Sequence, residues 1–167
     1  YLKKSLDSMI NQTVKPDQIV MVYDGPLTDA LYQTMNEYIS NNHDLFTIVK
    51  NEKNIGLGLS LNKGLAECRN ELVARMDTDD ISFPDRCRKQ LLAFEKRPEL
   101  SIIGSAVDEF KEDITNVTGR RVVPSTNKDI YNFARRRSAF NHPSVMYRKS
   151  KVLEFNGYSN LRRNQDV

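Results

Sequence analysis

The strongest constraint in this sequence is a rhythm: between residues 1 and 98, segments with helical spacing alternate with short apolar runs. Leu2, Leu6, Met9 and Ile10 recur at helical intervals, so residues 1–11 are predicted as an amphipathic helix closed by Asn11 and Gln12. Residues 18–23 (QIVMVY) are almost continuously apolar, the pattern of a strand buried on both faces, and they end in the turn Asp24-Gly25-Pro26. A second helix is expected from Thr28 to Ile39 and a second strand from Leu45 to Val49. Ile55-Gly56-Leu57-Gly58 opens a third helix, with Leu61, Leu65 and Cys68 on one face. Glu71 to Met76 forms a third strand, and a fourth helix with Pro84 in its first turn runs through Cys87, Leu91 and Phe94 toward Pro98. The order α-β-α-β-α-β-α with short connections implies an α/β fold, with a largely parallel sheet and right-handed crossovers. Because the chain begins on a helix, a further strand is expected upstream of Tyr1, which is not an initiator Met.

Beyond Pro98 the rhythm changes. Ser101 to Val107 is a candidate strand, and a hairpin through Asn116 to Gly119 leads into Arg120 to Val123. A short helix is predicted over Asp129–Arg136, a strand over Pro143–Tyr147, and a helix near Ser150–Phe155 that Gly157 stops.

The third strand delivers Arg75-Met76-Asp77-Thr78-Asp79-Asp80, with three carboxylates within four residues. Carboxylates this close repel one another unless a cation lies between them. Mg²⁺ and similar hard cations suit oxygen ligands, and one or two carboxylates plus substrate phosphates commonly hold them. Strand ends in open α/β sheets are also where ligands bind. These residues alone leave two readings open: a metal-diphosphate site, or an acidic turn that caps the next helix.

At 167 residues, 39% of them hydrophobic and 28% charged, the chain is one domain's worth of ordinary globular sequence. No apolar run approaches the roughly 18 residues of a membrane span, and no signal peptide is visible. Cys68 and Cys87 fit a reduced compartment rather than a disulfide scaffold, and two histidines without paired Cys/His spacing disfavour a zinc site. Residues 120–167 carry eleven Lys or Arg against three acidic residues, a net +8, which leaves −5 for the first 119 residues of a chain whose total is +3. A basic half beside an acidic turn suits an anionic substrate or an anionic membrane surface, and a merely solvated charged face is the alternative. A nucleic-acid module ranks last, because basic and aromatic residues do not interleave and the acidic turn would go unexplained.

Several segments, in order and spacing, resemble the family-two nucleotide-sugar glycosyltransferases of the GT-A fold. They are Ser5–Thr13 (SLDSMINQT), the turn Val22-Tyr23-Asp24-Gly25, the loop Asn51–Gly58 (NEKNIGLG), and Arg75–Asp80 with its continuation Phe83-Pro84-Asp85-Arg86. His142–Arg148 (HPSVMYR) and the closing Gln165-Asp166 complete the set, which covers nearly the whole chain. The resemblance implies a GT-A (Rossmann-like), mixed and mainly parallel sheet flanked by helices and truncated at both ends. It implies one catalytic-domain fragment over 1–167, with a nucleotide-binding half (1–98) and an acceptor-side half (99–167).

Carried over residue by residue, the resemblance implies that Asp24 accepts a hydrogen bond from the uracil ring and that Asn54 lies in the nucleotide-binding loop. It implies that Asp77 contacts the ribose or assists the metal, and that Asp79 coordinates Mn²⁺ or Mg²⁺ on the diphosphate. Asp80 would cap the following helix or orient its neighbours, Arg75 would supply a cation to the nucleotide, and His142 would orient substrate. Asp166 would be the general base, and Arg135-Arg136-Arg137 would face the phosphates of a lipid-linked acceptor or form a solvated helix end. Tyr23 and Leu61 stand where the family often has an Asp and a nucleotide-contacting Arg, which leaves the base preference open. The implied activity is inverting transfer of a hexosyl or N-acetylhexosaminyl group. The donor is a nucleotide-diphospho-sugar, most simply a UDP-sugar, and the acceptor a saccharide or lipid-linked hydroxyl in cell-surface polysaccharide synthesis. The implied location is the cytoplasm, with peripheral contact at the inner face of the plasma membrane and no nucleic-acid partner. The alternative is a nucleotide-sugar-binding domain without turnover.

Overall fold

A computed structural model describes residues 1–160. The first half follows the expected alternation: α1 (Leu2–Ile10), β1 (Ile19–Asp24), α2 (Asp29–Asn41), β2 (Phe46–Asn51), α3 (Leu57–Glu67), β3 (Leu72–Ala74) and α4 (Arg86–Lys96). Strands β1 and β2 pair in parallel from Ile19 opposite Phe46 to Asp24 opposite Asn51, so two polar side chains emerge together at the C-terminal end of an apolar ribbon. Thr28 caps α2 by accepting from the Leu31 amide. Leu6, Tyr23 and Met35 form the core between α1, β1 and α2, with Met21, Tyr32 and Ile48 packed around them. Helix α3 lies close over β1, because at Gly64 a Cβ would stand 2.8 Å from the Val22 methyl.

The second half adds β4 (Ile102–Ile103), β5 (Val107–Phe110), β6 (Val117–Arg121), α5 (Asn127–Ala134), β7 (Met146–Arg148) and α6 (Lys149–Glu154). Its pairings are antiparallel, with β7 between β3 and β4, and β5 with β6 as a hairpin. The architecture is a mixed α/β fold with a parallel β1–β2 pair. The extension of parallel pairing to β3 stops there: its strand neighbour among the described residues is the antiparallel β7. Leu65, Val145 and Tyr147 form a second core, to which Val73, Ile102, Phe140 and Tyr158 contribute.

Local differences have local causes. The single strand expected over 101–107 divides at Gly104 and Ser105. A Cβ at Gly104 would meet the Phe140 ring at 2.9 Å, and the Ser105 amide donates to Ser144 Oγ at 3.0 Å. The strand expected from Pro143 begins as a 3₁₀ turn over His142–Ser144, and only Met146–Arg148 pair. Pro84 lies just ahead of α4, whose N-cap is Asp85, rather than within its first turn.

Candidate active site

A cavity of about 1120 Å³ runs beside β1 and the end of β3. Val20, Met21, Val22, Leu59 and Leu61 give it apolar walls, and Asp24, Asn54, Arg75, Asp77 and Asn160 bring polar groups to its lining. Four of the residues expected to bind nucleotide therefore meet in one place.

Asp24 ends β1, and its carboxylate binds protein donors. Oδ1 accepts from the Ile55 amide at 2.8 Å and from Asn51 Nδ2 at 3.1 Å, and Oδ2 accepts from the Gly56 amide at 3.1 Å. Burial pushes its pKa upward, but hydrogen bonds from Ile55, Ser60, Asn51 and Gly56 outweigh it and hold the carboxyl below the usual carboxylate range. Buried Asn51 also donates to Ser60 Oγ at 2.9 Å and accepts from Lys63 Nζ at 2.8 Å. Asp24 thus fastens the 51–56 loop and the start of α3, where Gly56 takes φ +94°. Asn51 was quoted from the sequence only as the start of the 51–58 loop, and Lys63 was not singled out; the parallel register is what sets Asn51 beside Asp24.

The acidic turn follows β3. The Asp80 amide donates to the Asp77 carbonyl at 3.3 Å, and Arg75 forms an ion pair with Asp77. Because α4 begins at Arg86 with Asp85 as its N-cap, Asp80 caps no helix, and the capping explanation of the triplet falls away. Burial, followed by the charges of Asp77 and Asp79, pushes the Asp80 pKa upward, while Arg75 and Arg86 oppose this. The turn is thus a concentration of mutually repelling carboxylates. Among the described residues no three His, Cys, Asp or Glu side chains converge into a complete metal cage. Of the two carboxylates expected to hold the metal, Asp77 lines the cavity and Asp79 does not, so a Mn²⁺ or Mg²⁺ ion there would need substrate phosphate oxygens to complete its ligands.

Three residues of the Ser5–Thr13 segment, given no role from the sequence, brace this turn. Ser5 Oγ donates to the Asp77 carbonyl at 3.0 Å, and Ser8 Oγ accepts from the Ser82 amide at 3.0 Å. Gln12, only 2% exposed, donates to the Phe83 carbonyl at 2.8 Å and accepts from the Cys87 amide at 2.9 Å. Ser5 and Ser8 on one face of α1, with Gln12 just beyond its end, form a polar support for residues 77–87. The half-buried Arg86 guanidinium donates to the Arg75 carbonyl at 2.7 Å and to the Val145 carbonyl at 3.1 Å, and Gln90 donates to the Ser144 carbonyl at 2.8 Å.

The remaining predicted positions lie elsewhere. His142 starts the 3₁₀ turn off the cavity lining, its ring 5.6 Å from that of Tyr158. Arg137 stacks over Phe133 at 4.8 Å, at the end of α5. Cys68 and Cys87 are both free thiols. Asp166 lies outside the described residues.

Residues 1–161 match the model of a known family, described as glycosyl transferase family 2. The chain belongs to this family. It is 43% identical over 157 residues to the amylovoran biosynthesis glycosyltransferase AmsE of Erwinia amylovora, covering 94% of this chain and 58% of AmsE. It is 35% identical over 162 residues to the UDP-Gal:alpha-D-GlcNAc-diphosphoundecaprenol beta-1,3-galactosyltransferase of Escherichia coli, covering 96% of this chain and 57% of that enzyme. In fold, this family 2 glycosyltransferase resembles the mannosyltransferase PcManGT of Pyrobaculum calidifontis, solved with GDP-Man and Mn²⁺. The TM-score is 0.70 at 16% identity, over 99% of this chain and 45% of PcManGT. The chain spans less than two thirds of the length of these relatives.

Proposed function

We propose that this family 2 glycosyltransferase transfers a sugar, with inversion, from a UDP-sugar to a hydroxyl of a saccharide or lipid-linked acceptor in cell-surface polysaccharide synthesis. The observation that carries this reading is the acidic turn at the end of β3. It caps no helix, and its Asp77 and Thr78 border one cavity together with the Asp24-fastened loop. A UDP-sugar donor and a diphosphoundecaprenol-linked acceptor are named for the E. coli relative, and Mn²⁺ accompanies GDP-Man in PcManGT.

In this mechanism Asp77 and Asp79 would hold Mn²⁺ or Mg²⁺ together with the diphosphate, and Asn54 belongs to the nucleotide loop that Asp24 organises. When bound, the cation would supply positive charge toward the departing nucleoside diphosphate. Arg75, paired with Asp77 in the cavity wall, offers a guanidinium to a phosphate oxygen. Asp166 takes the acceptor hydroxyl's proton as that oxygen bonds to the anomeric carbon, and the anomeric carbon–oxygen bond to the diphosphate breaks on the opposite face. His142 orients the acceptor side. The enzyme works in the cytoplasm, where the basic 120–167 segment favours the anionic inner face of the plasma membrane. No helix among the described residues is long and apolar enough to cross a membrane.

The test is nucleotide release by the full-length chain from a panel of UDP- and GDP-sugars with undecaprenyl-diphosphate-linked N-acetylglucosamine as acceptor. Mn²⁺-dependent release of UDP, stopped by EDTA, is expected. Tight nucleotide binding without release from any donor would favour a binding domain.

A further inference from the structure

We propose that Asn62 is a positioning residue, a latch that fixes the 157–160 segment on α3 as a wall of the donor cavity. Its carboxamide engages both backbone groups of Tyr158: Nδ2 donates to the Tyr158 carbonyl at 2.8 Å, and Oδ1 accepts from the Tyr158 amide at 2.7 Å. A side-chain amide bonded this way fixes both the height and the rotation of the peptide it holds.

Two glycines make this close approach possible. Gly157 takes φ +76°, and a Cβ there would lie 2.3 Å from Asn62 Oδ1. Gly58, one turn before Asn62 on α3, would place a Cβ 2.3 Å from the Ser159 carbonyl oxygen. On its other side Tyr158 donates from its hydroxyl to the Tyr147 hydroxyl at 3.0 Å and sets its ring against His142. Beyond these anchors Asn160 joins Asp24 and Asp77 on the cavity lining.

Helix α3 is the shared frame. Asp24 holds its N-terminal entry through the Ile55 and Gly56 amides, and Asn62 holds the 157–160 segment further along. The inference rests on the transferase reading, in which this cavity holds the donor. Releasing the latch therefore loosens a wall of the donor cavity and weakens donor binding.

The test measures nucleotide release by the full-length chain, per folded molecule, using the donor that wild type turns over fastest. Asn62→Leu and Gly58→Ala reach the latch from its two sides. Both are expected to raise the donor KM roughly 10-fold, with kcat per folded molecule within about twofold. Asn62→Asp, which turns a carboxylate oxygen toward the Tyr158 carbonyl, is expected to be affected at least as much as Asn62→Leu. Wild-type donor KM in both Asn62→Leu and Gly58→Ala would overturn the latch, as would a loss of activity that merely follows the unfolded fraction. A wild-type chain that turns over none of the donors would overturn the transferase reading instead, and the latch with it.

Discussion

Replacing Arg86 with alanine is expected to lower the unfolding midpoint by roughly 6–12 °C, the equivalent of about 3 kcal/mol in a chain of this length. The half-buried guanidinium spans two carbonyls, Arg75 at the end of β3 and Val145 at the start of β7, while its Nε donates to Gln90 Oε1 at 3.1 Å. Alanine opens a void beneath the acidic turn and removes a donor from each carbonyl. Val145 keeps the Arg75 amide at 2.8 Å, so the loss falls mainly on the Arg75 carbonyl, and an unsatisfied buried group costs about 1–3 kcal/mol. Burial, acting first, pulls the Arg86 pKa below the usual arginine range, and Asp80 partly offsets it. Arg86→Lys should recover less than half of the loss, because a single ammonium cannot bridge both carbonyls in the fork geometry. Thermal melts followed by circular dichroism measure this, and a shift of less than about 2 °C for Arg86→Ala would remove Arg86 from the account.

Asp24→Asn is the second substitution expected to matter, and it separates two roles for one carboxylate. With the Ile55, Gly56 and Asn51 donors all directed at Asp24, an amide NH₂ in place of one oxygen faces a donor instead of accepting from it. A stability loss of about 1–3 kcal/mol is expected at neutral pH, with weaker nucleotide binding as the 51–56 loop loosens. The loss should depend on pH in a set direction. The folded-state pKa of Asp24 is lowered, so its contribution is complete above the unfolded value near 4 and fades as pH falls through the folded one. The gap between wild type and variant should therefore narrow in acid. A variant as stable as wild type that only loses nucleotide affinity would instead make Asp24 a direct contact of the base.

The alternation of the first 98 residues was legible because its helices and strands each bury one continuous apolar set. Leu6 fell on the predicted apolar face of the first helix and is in the core. Strand partners were harder, since periodicity reports which side chains are buried and not which neighbour bonds the backbone. The antiparallel β3–β7 contact between residues 72 and 148 could not be read from spacing. Gly104 carried no sign in its neighbours that the Phe140 ring would crowd it and end β4.

At the site, Asp24, Asn54, Arg75 and Asp77 were named from sequence and share one cavity. Ser5, Ser8 and Gln12 were quoted only as part of the Ser5–Thr13 segment and given no role, because they look like ordinary polar positions on and just after an amphipathic helix. Only the fold reveals that this polar face is turned inward against the acidic turn. Asp80 misled for a related reason. An Asp ahead of a helix suggests a cap, yet the chain runs five more residues before α4 reaches its own N-cap at Asp85.

The most direct test of the central claim is calorimetric titration of UDP and of GDP into the chain, with Mn²⁺ and with EDTA, on wild type and on Asp79→Ala. UDP is expected to bind only with Mn²⁺, and Asp79→Ala to lose that binding while melting at the wild-type temperature. UDP binding that is equally tight in EDTA, or unchanged in folded Asp79→Ala, would contradict the assignment of the Asp77–Asp79 turn as the metal-diphosphate site.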